Sequence, residues 1–267
     1  MNDHAREESD MSKKIPYGAQ DSFSAFEDTM VEMSWQEVQA AADRNAAVLL
    51  PIGTIEAHGP HMDLSADFYL STLVCRFLKQ ELEAEGVEAL IAPPVYWGIS
   101  RDVAKYAGTF SVSPSTMKGL LADIFSSIKS WGFKNVFVDN AHGDSLHLKT
   151  IREAIDEANK SPDFSVYFLW DLDIDVDSDL KFPQMRENRY EPDCHAGAIE
   201  TAQMLAYFPE KVHTDIAKSL LPQNTFHPLA YRGDPASYDL EVNLSEYAAV
   251  DMKLDALKIK SILKCNK

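Results

Sequence analysis

Four apolar runs rich in β-forming residues alternate with helix-length stretches along this chain, and few architectures accommodate that alternation. The runs are Ala46 to Gly53, Glu88 to Val95, Asn135 to Asn140 and Ser165 to Leu172. Between them lie Phe68 to Glu85, Pro114 to Trp131 and Leu146 to Asn159, each with apolar residues at three- and four-residue intervals. Strand-length runs without polar alternation, separated by amphipathic helices, predict an α/β fold whose mainly parallel sheet is covered on both faces. Local signals agree. Ser34 followed by Glu37 reads as a capping box, and Ser113-Pro114 as an N-cap with proline at the first helical position. Later helices are predicted over Ala196 to Tyr207 and Tyr247 to Leu263.

The chain has 267 residues, 45% of them hydrophobic, which suits one substantial core. A single domain is expected over residues 24–267, preceded by a polar, flexible arm over residues 1–23 with Met11 as an alternative start. The formal net charge of −17 argues against nucleic-acid or anionic-membrane partners, whose phosphates would be repelled. No run approaches the roughly 18 apolar residues of a membrane span. Three widely spaced cysteines, Cys75, Cys194 and Cys265, suggest neither a disulfide framework nor a zinc knuckle and fit a reducing cytoplasm. Five aspartates between Asp171 and Asp179 lack the glycine and terminal glutamate of a calcium loop, so a solvated acidic loop is expected.

In an open parallel sheet, ligands bind beyond the carboxyl ends of the strands. After the first run comes Gly53-Thr-Ile-Glu56-Ala-His58-Gly-Pro-His61-Met-Asp63-Leu-Ser-Ala-Asp67, and after the third comes Asn140-Ala-His142-Gly-Asp144. Glu56 and His58 are two residues apart, so in an extended segment they share a face, and His142 and Asp144 repeat the arrangement. Two acid/imidazole pairs facing each other make a metal cage, with nitrogen and oxygen donors suited to Zn, Mn, Fe or Co. With Asp67 as a bridging carboxylate, these five residues could serve two ions about 3.5–4 Å apart. Any one of these residues alone would more often be a solvated or hydrogen-bonded side chain. His61 and Asp63 have suitable chemistry too, and spacing does not exclude them.

A third cluster, Asp193-Cys194-His195-Ala-Gly-Ala-Ile-Glu200-Thr201, opens the predicted helix at residue 196. His195 is a candidate proton shuttle, Glu200 a second catalytic candidate, and Cys194 lacks an identifiable base. Tyr96, Trp97, Ser100 and Thr109 are expected to form a substrate wall after the second run, against the plainer alternative of aromatics packed in the core. A nucleophile elbow, a Walker A loop and a dinucleotide fingerprint are all missing from the sequence.

At these residues the chain resembles the creatininase (creatinine amidohydrolase) family. Pro51-Ile-Gly-Thr-Ile-Glu-Ala-His-Gly-Pro-His-Met with Asp67 matches its first motif, Asn140-Ala-His-Gly-Asp its second, and His195-Ala-Gly-Ala-Ile-Glu-Thr its third. Gly108-Thr109-Phe-Ser fits a further segment. The resemblance implies a three-layer α/β/α sandwich, two divalent metal ions (Zn or Mn, with Fe as an option), and hydrolysis of C–N bonds in cyclic or linear amides of small molecules, often by a homohexamer. It implies that Glu56, Asp67 and His142 hold one ion and His58, Asp67 and Asp144 the other, with Glu200 beside the centre and His195 handling protons. Creatininases carry a tyrosine and a glutamate where this chain has Gly143 and Asp144, an aromatic near Glu191, and a histidine at Val103. These departures argue against creatinine itself. They leave as alternatives a ring-opening hydrolase or deformylase acting on a sugar- or nucleotide-derived substrate, with Arg101, Lys105 or Arg232 meeting a phosphate. The further alternative is a non-catalytic binding or maturation protein.

Overall fold

A computed structural model describes residues 23–172, 195–221, 231, 253 and 255–264. Residues 1–22 of the expected arm, residues 173–179 of the acidic run, Glu191, Cys194, Arg232 and residues 247–252 and 254 of the last predicted helix lie outside that set, whereas Phe23 is packed against Tyr69 and Phe208.

Four parallel strands form one sheet: β1 (Ala47–Ile52), β2 (Ala89–Ile91), β3 (Asn135–Asn140) and β4 (Ser165–Phe168), in the order β2-β1-β3-β4. The helices are α1 (Trp35–Asp43), α2 (Ala66–Ala84), α3 (Pro114–Ser130), α4 (Ser145–Ala158), α5 (Ala198–Tyr207) and α6 (Thr214–Ser219), with residues 255–264 helical as well. Even residues of β1 (Val48, Leu50, Ile52) join Leu121, Phe125 and Ile151 of α3 and α4 in one core. Odd residues (Ala47, Leu49) join Leu73, Leu78 and Met204 of α2 and α5 in a second core on the opposite face. Each strand residue thus faces one helical layer or the other, and β1 is buried along its whole length. This is the expected three-layer α/β/α arrangement.

The predicted caps form. Ser34 and Glu37 make a reciprocal capping box, and Ser113 accepts the Thr116 amide ahead of Pro114. The second run yields only three strand residues because Pro93 and Pro94 have no N–H to donate to a ladder, although Val95 still bridges to Ile52. The fourth run turns into a short 3₁₀ helix at Leu169–Asp171. Helix α5 begins after Ala196, whose φ of 50° breaks the regular geometry. No described helix is long and apolar enough to cross a membrane.

Two features aim the chain at the site. Because β2 and β3 flank β1 on opposite sides, the connections leave the ends of β1 and β3 in opposite directions, opening a crevice between those two ends. At Gly53, just past β1, a Cβ would lie 2.5 Å from the Phe68 backbone nitrogen, so only glycine lets the first turn of α2 come down onto the strand end. Below that turn, Ser71 accepts from the Ile52 amide at 3.2 Å and donates to Asp139 Oδ2 at 2.7 Å, tying α2 to both central strands.

Asp139 is fully buried, and burial pushes its carboxyl from 3.8 up to about 6, against the opposing effect of the Ser71 hydrogen bond. Between those two values the unfolded chain releases the proton while the folded one keeps it. Folding stability therefore falls as pH rises through that window, by about 3 kcal/mol in total. Asp139→Asn removes this slope, so urea unfolding should show the variant gaining on the wild type between pH 4 and pH 7. Parallel pH profiles for the two proteins would contradict the assignment.

Candidate metal centre

Beyond the ends of β1 and β3 lies a pocket of about 280 Å³ whose lining includes Glu56, Asp67, Ser100, Arg101, His142 and Glu200. Glu56 and His58 come from the loop after β1, Asp67 from the first turn of α2, and His142 from the loop after β3. His195 precedes α5, and Glu200 lies in its first turn. All six are buried or nearly so.

The three imidazoles share one design. His58 Nδ1 donates to the Glu56 carbonyl (3.1 Å), His142 Nε2 to the Ile99 carbonyl (2.8 Å) and His195 Nε2 to the Ala57 carbonyl (2.8 Å). A carbonyl can only accept, so each outer nitrogen carries a proton, and the inner one is left to meet a carboxylate through a second proton or a cation through its lone pair. Those inner nitrogens face carboxylates. His58 Nε2 is 3.0 Å from Asp67 Oδ1, His142 Nδ1 is 3.1 Å from Asp67 Oδ2 and 3.2 Å from Glu56 Oε1, and His195 Nδ1 is 3.6 Å from Glu56 Oε1. Asp67 therefore turns one oxygen to each of two histidines, and Thr54 steadies it with a 2.5 Å hydrogen bond.

Lone pairs aimed at carboxylates require positive charge between them. Burial alone would lower the His58 pKa, yet Asp67, with Glu200 and Glu56, carries it up to about 10. His142 is likewise held well above its ordinary value by Asp67 and Glu56 in spite of burial. Burial pushes the Asp67 carboxyl up, but His58 and His142 hold it well below the usual range. Glu56 Oε2 is buried with no hydrogen-bond partner among the described residues. The donor set suits a divalent ion, which would supply the charge in place of protons. Three groups of donor atoms lie within 4.8 Å of one another: Glu56, Asp67 and His142; His58, Asp67 and Glu200; and Glu56, His58 and His195.

A supporting network missed at the sequence level holds His142. His147 Nδ1 accepts the Ile99 amide (3.1 Å) while its Nε2 donates to Asn140 Oδ1 (2.9 Å), and Asn140 Nδ2 donates to the His142 carbonyl (2.7 Å). Burial and the neighbouring His142 lower the His147 pKa to about 3, so it stays neutral and keeps both roles. Gly98 makes room for this, since a Cβ there would lie 2.4 Å from Thr54 and 2.5 Å from His147. His147 occupies the first position of the buried α4 stripe His147, Thr150, Ile151, Ala154, Ile155. A histidine in such a stripe was the available signal.

Several residues sit elsewhere than the sequence suggested. Asp144 falls in none of the donor groups. It caps α4 by accepting the Leu146 and His147 amides at 2.7 and 3.3 Å, and it binds Arg101 Nη2 at 2.8 Å, so the pairing of His142 with Asp144 on one face does not arise. Glu200 stands near His58 instead, at 3.9 Å, and its carboxylate also takes the Ala196 amide. His61 is buried against Thr201 at 2.9 Å, while exposed Asp63 pairs with Lys211. Ser100 does line the pocket, with its buried hydroxyl oxygen unpartnered among the described residues. Thr109 supports the metal-site loop by accepting the Ala57 amide at 3.0 Å. Tyr96 and Trp97 line a separate apolar groove, not this pocket.

Comparison with known proteins places this arrangement. The family model for creatininase (creatinine amidohydrolase) matches residues 31–242. Creatinine amidohydrolase of Pseudomonas putida is 29% identical over 226 residues, covering 77% of this chain and 81% of that protein. The mycofactocin precursor peptide peptidase of Mycobacterium tuberculosis is 33% identical over 109 residues, 39% of this chain and 43% of that protein. A crystal structure of creatinine amidohydrolase superimposes with a TM-score of 0.68 at 23% identity, covering 87% of this chain and 97% of the other. With the family model matching most of its length and its fold matched as well, the chain belongs to the creatininase family.

Proposed function

We propose that this chain is a metal-dependent amidohydrolase that cleaves a non-peptide C–N bond of a small molecule with a metal-activated water. One observation carries the reading: three histidines, each locked by a backbone carbonyl, aim their inner nitrogens at Glu56 and Asp67 in a pocket open to substrate. Glu56, Asp67 and His142 are assigned to one ion, and His58, Asp67 and Glu200 to a second, with Asp67 shared. Solved creatininases described as Mn and Zn–Zn forms support either metal. Divalent ions held by these residues would supply a water of lowered pKa and a polarised substrate carbonyl.

The chain's own groups supply the rest. As the new C–O bond forms and the C–N bond breaks, one proton must pass from water to the leaving nitrogen. His195 Nδ1, beside Glu56, is placed to carry it, its ring fixed by the Ala57 carbonyl. The unpartnered Ser100 hydroxyl is available to a substrate polar group. Asp144 acts indirectly: it holds Arg101, whose side chain is half exposed at the pocket mouth.

That guanidinium favours a second reading, a ring-opening hydrolase or deformylase whose substrate carries a carboxylate or phosphate. Arg101 Nε and Nη2 are taken by Asp144 and Ser145, which fixes the plane and leaves Nη1 without a partner among the described residues. Lys105, by contrast, lies over the Tyr106 ring.

Three measurements test these assignments. Chelation with verified metal removal should abolish turnover across a panel of cyclic amides, formamides and lactones, with Zn or Mn restoring it; undiminished turnover by metal-free protein would sink the proposal. His195→Gln should keep the metal content and slow turnover by roughly 10²–10⁴-fold, whereas loss of metal alongside activity would make His195 a ligand and not a proton carrier. Arg101→Gln should raise KM about tenfold or more for anionic substrates, the equivalent of one lost charge-assisted hydrogen bond, and leave neutral ones unchanged. Equal effects on both substrate classes would remove Arg101 from recognition.

A further inference from the structure

The histidines of the centre are not supported alike. His58 donates to the carbonyl of Glu56, two residues away in its own loop, whereas His142 donates to that of Ile99, 43 residues away. Ile99 lies after β2 in a segment that belongs to no strand or helix. A carbonyl orients a ring only as firmly as it is itself held, and here the hold comes from a directed ring of hydrogen bonds. The Ile99 amide donates to His147 Nδ1 (3.1 Å), His147 Nε2 to Asn140 Oδ1 (2.9 Å), and Asn140 Nδ2 to the His142 carbonyl (2.7 Å). His142 Nε2 closes the ring at the Ile99 carbonyl (2.8 Å). A peptide N–H can only donate and a peptide carbonyl can only accept, so the two ends of this chain fix every proton between them. His147 carries its proton on Nε2, and Asn140 turns its oxygen toward it. All four residues are buried, so water offers no substitute for a lost partner.

Gly98 joins this ring to a second support. A Cβ there would lie 2.4 Å from Thr54 Cγ2 and 2.5 Å from His147 Cε1, so the two side chains close on the glycine together. Thr54 donates to Asp67 Oδ2, the oxygen that faces His142, while Asp67 Oδ1 faces His58. Both supports therefore bear on one donor group, that of Glu56, Asp67 and His142. In the second group, His58 and Glu200 take their support from the Glu56 carbonyl and the Ala196 amide instead. We infer, given the two-ion assignment, that His147 is a positioning residue for the ion of Glu56, Asp67 and His142, and that with Thr54 it sets that ion's affinity separately from its neighbour's. Outer partners of a ligating histidine raise affinity by keeping the ring where the ion needs it. His147 does so from one step further out, through the Ile99 peptide at the ring of His142 and through Asn140 at its backbone, so its loss loosens the ligand at both ends.

The test is calorimetric titration of zinc into the demetallated full-length chain, with circular dichroism as the check on folding. The wild type should take up two ions. His147→Leu should bind one of them about 10–100-fold more weakly and the other as the wild type does. His147→Gln, which again offers a donor and an acceptor, should recover most of that loss. Adding Glu200→Gln to His147→Leu should weaken the remaining ion as well, which identifies it as the one beside His58. Thr54→Val, on the other side of Gly98, should weaken the same ion as His147→Leu by about tenfold, and it carries the test if His147→Leu does not fold. Equal weakening of both ions in either variant would mean a general loosening of the fold and overturns the inference. So do affinities unchanged in both variants, or a remaining ion indifferent to Glu200→Gln. A folded wild-type chain that binds no divalent ion overturns the two-ion assignment, and the role of His147 with it.

Discussion

The parallel pairing of β1 with β3 is the constraint on which the rest of the molecule depends. Parallel neighbours deliver their carboxyl ends to the same edge of the sheet, so the loops bearing Glu56 and His58 and the loop bearing His142 emerge side by side. The helices then have to cover both faces, because a strand as apolar as β1 leaves no side for water. Gly53 converts that layering into chemistry: with no Cβ in the way, α2 descends onto the strand end and brings Asp67 between the two loops. The electrostatic field of α2's N-terminus favours the charge that Asp67 carries there.

Within the crevice, order comes from backbone carbonyls more than from side chains. Three peptide oxygens choose the tautomers of three histidines, and the lone pairs this exposes converge on carboxylates that would otherwise repel one another. The result is a cluster whose donor set suits a cation. Ile99 has a double role: its carbonyl accepts from His142 and its amide donates to His147, so the two peptide planes that meet at its Cα position two rings.

Much of this was legible in the sequence. The four apolar runs became strands in parallel, and Glu56, His58, Asp67 and His142 of the first two clusters lie together. Where the geometry differs from the sequence reading, the causes are physical. Asp144 follows a strand and precedes a helix, and at such a position an aspartate serves equally well as a metal ligand or as an N-cap. The amides of Leu146 and His147, together with Arg101, claim it here. Glu200 was placed near the centre only loosely because sequence does not reveal that α5 starts after a left-handed residue at Ala196, which sets where its first turn points. Tyr96 and Trp97 follow a strand as substrate-wall residues do, but Pro93 and Pro94 turn the chain so that both line the outer groove. Separation of that groove from the pocket is a property of layers, which no local pattern encodes.

The donors that could hold a metal are scattered from residue 56 to residue 200 and come from loops after two strands, from the first turns of two helices and from the segment just before α5. None of the three donor groups can be completed by one contiguous segment. A partly folded chain, with one crossover closed and the other open, therefore has no cage to offer, and affinity for the ion arises only when the non-local strand pairing is finished. Ion capture and completion of the domain are in this sense a single event. An ion that binds only the finished fold adds its binding free energy to that of folding, and so sets how long the assembled domain persists.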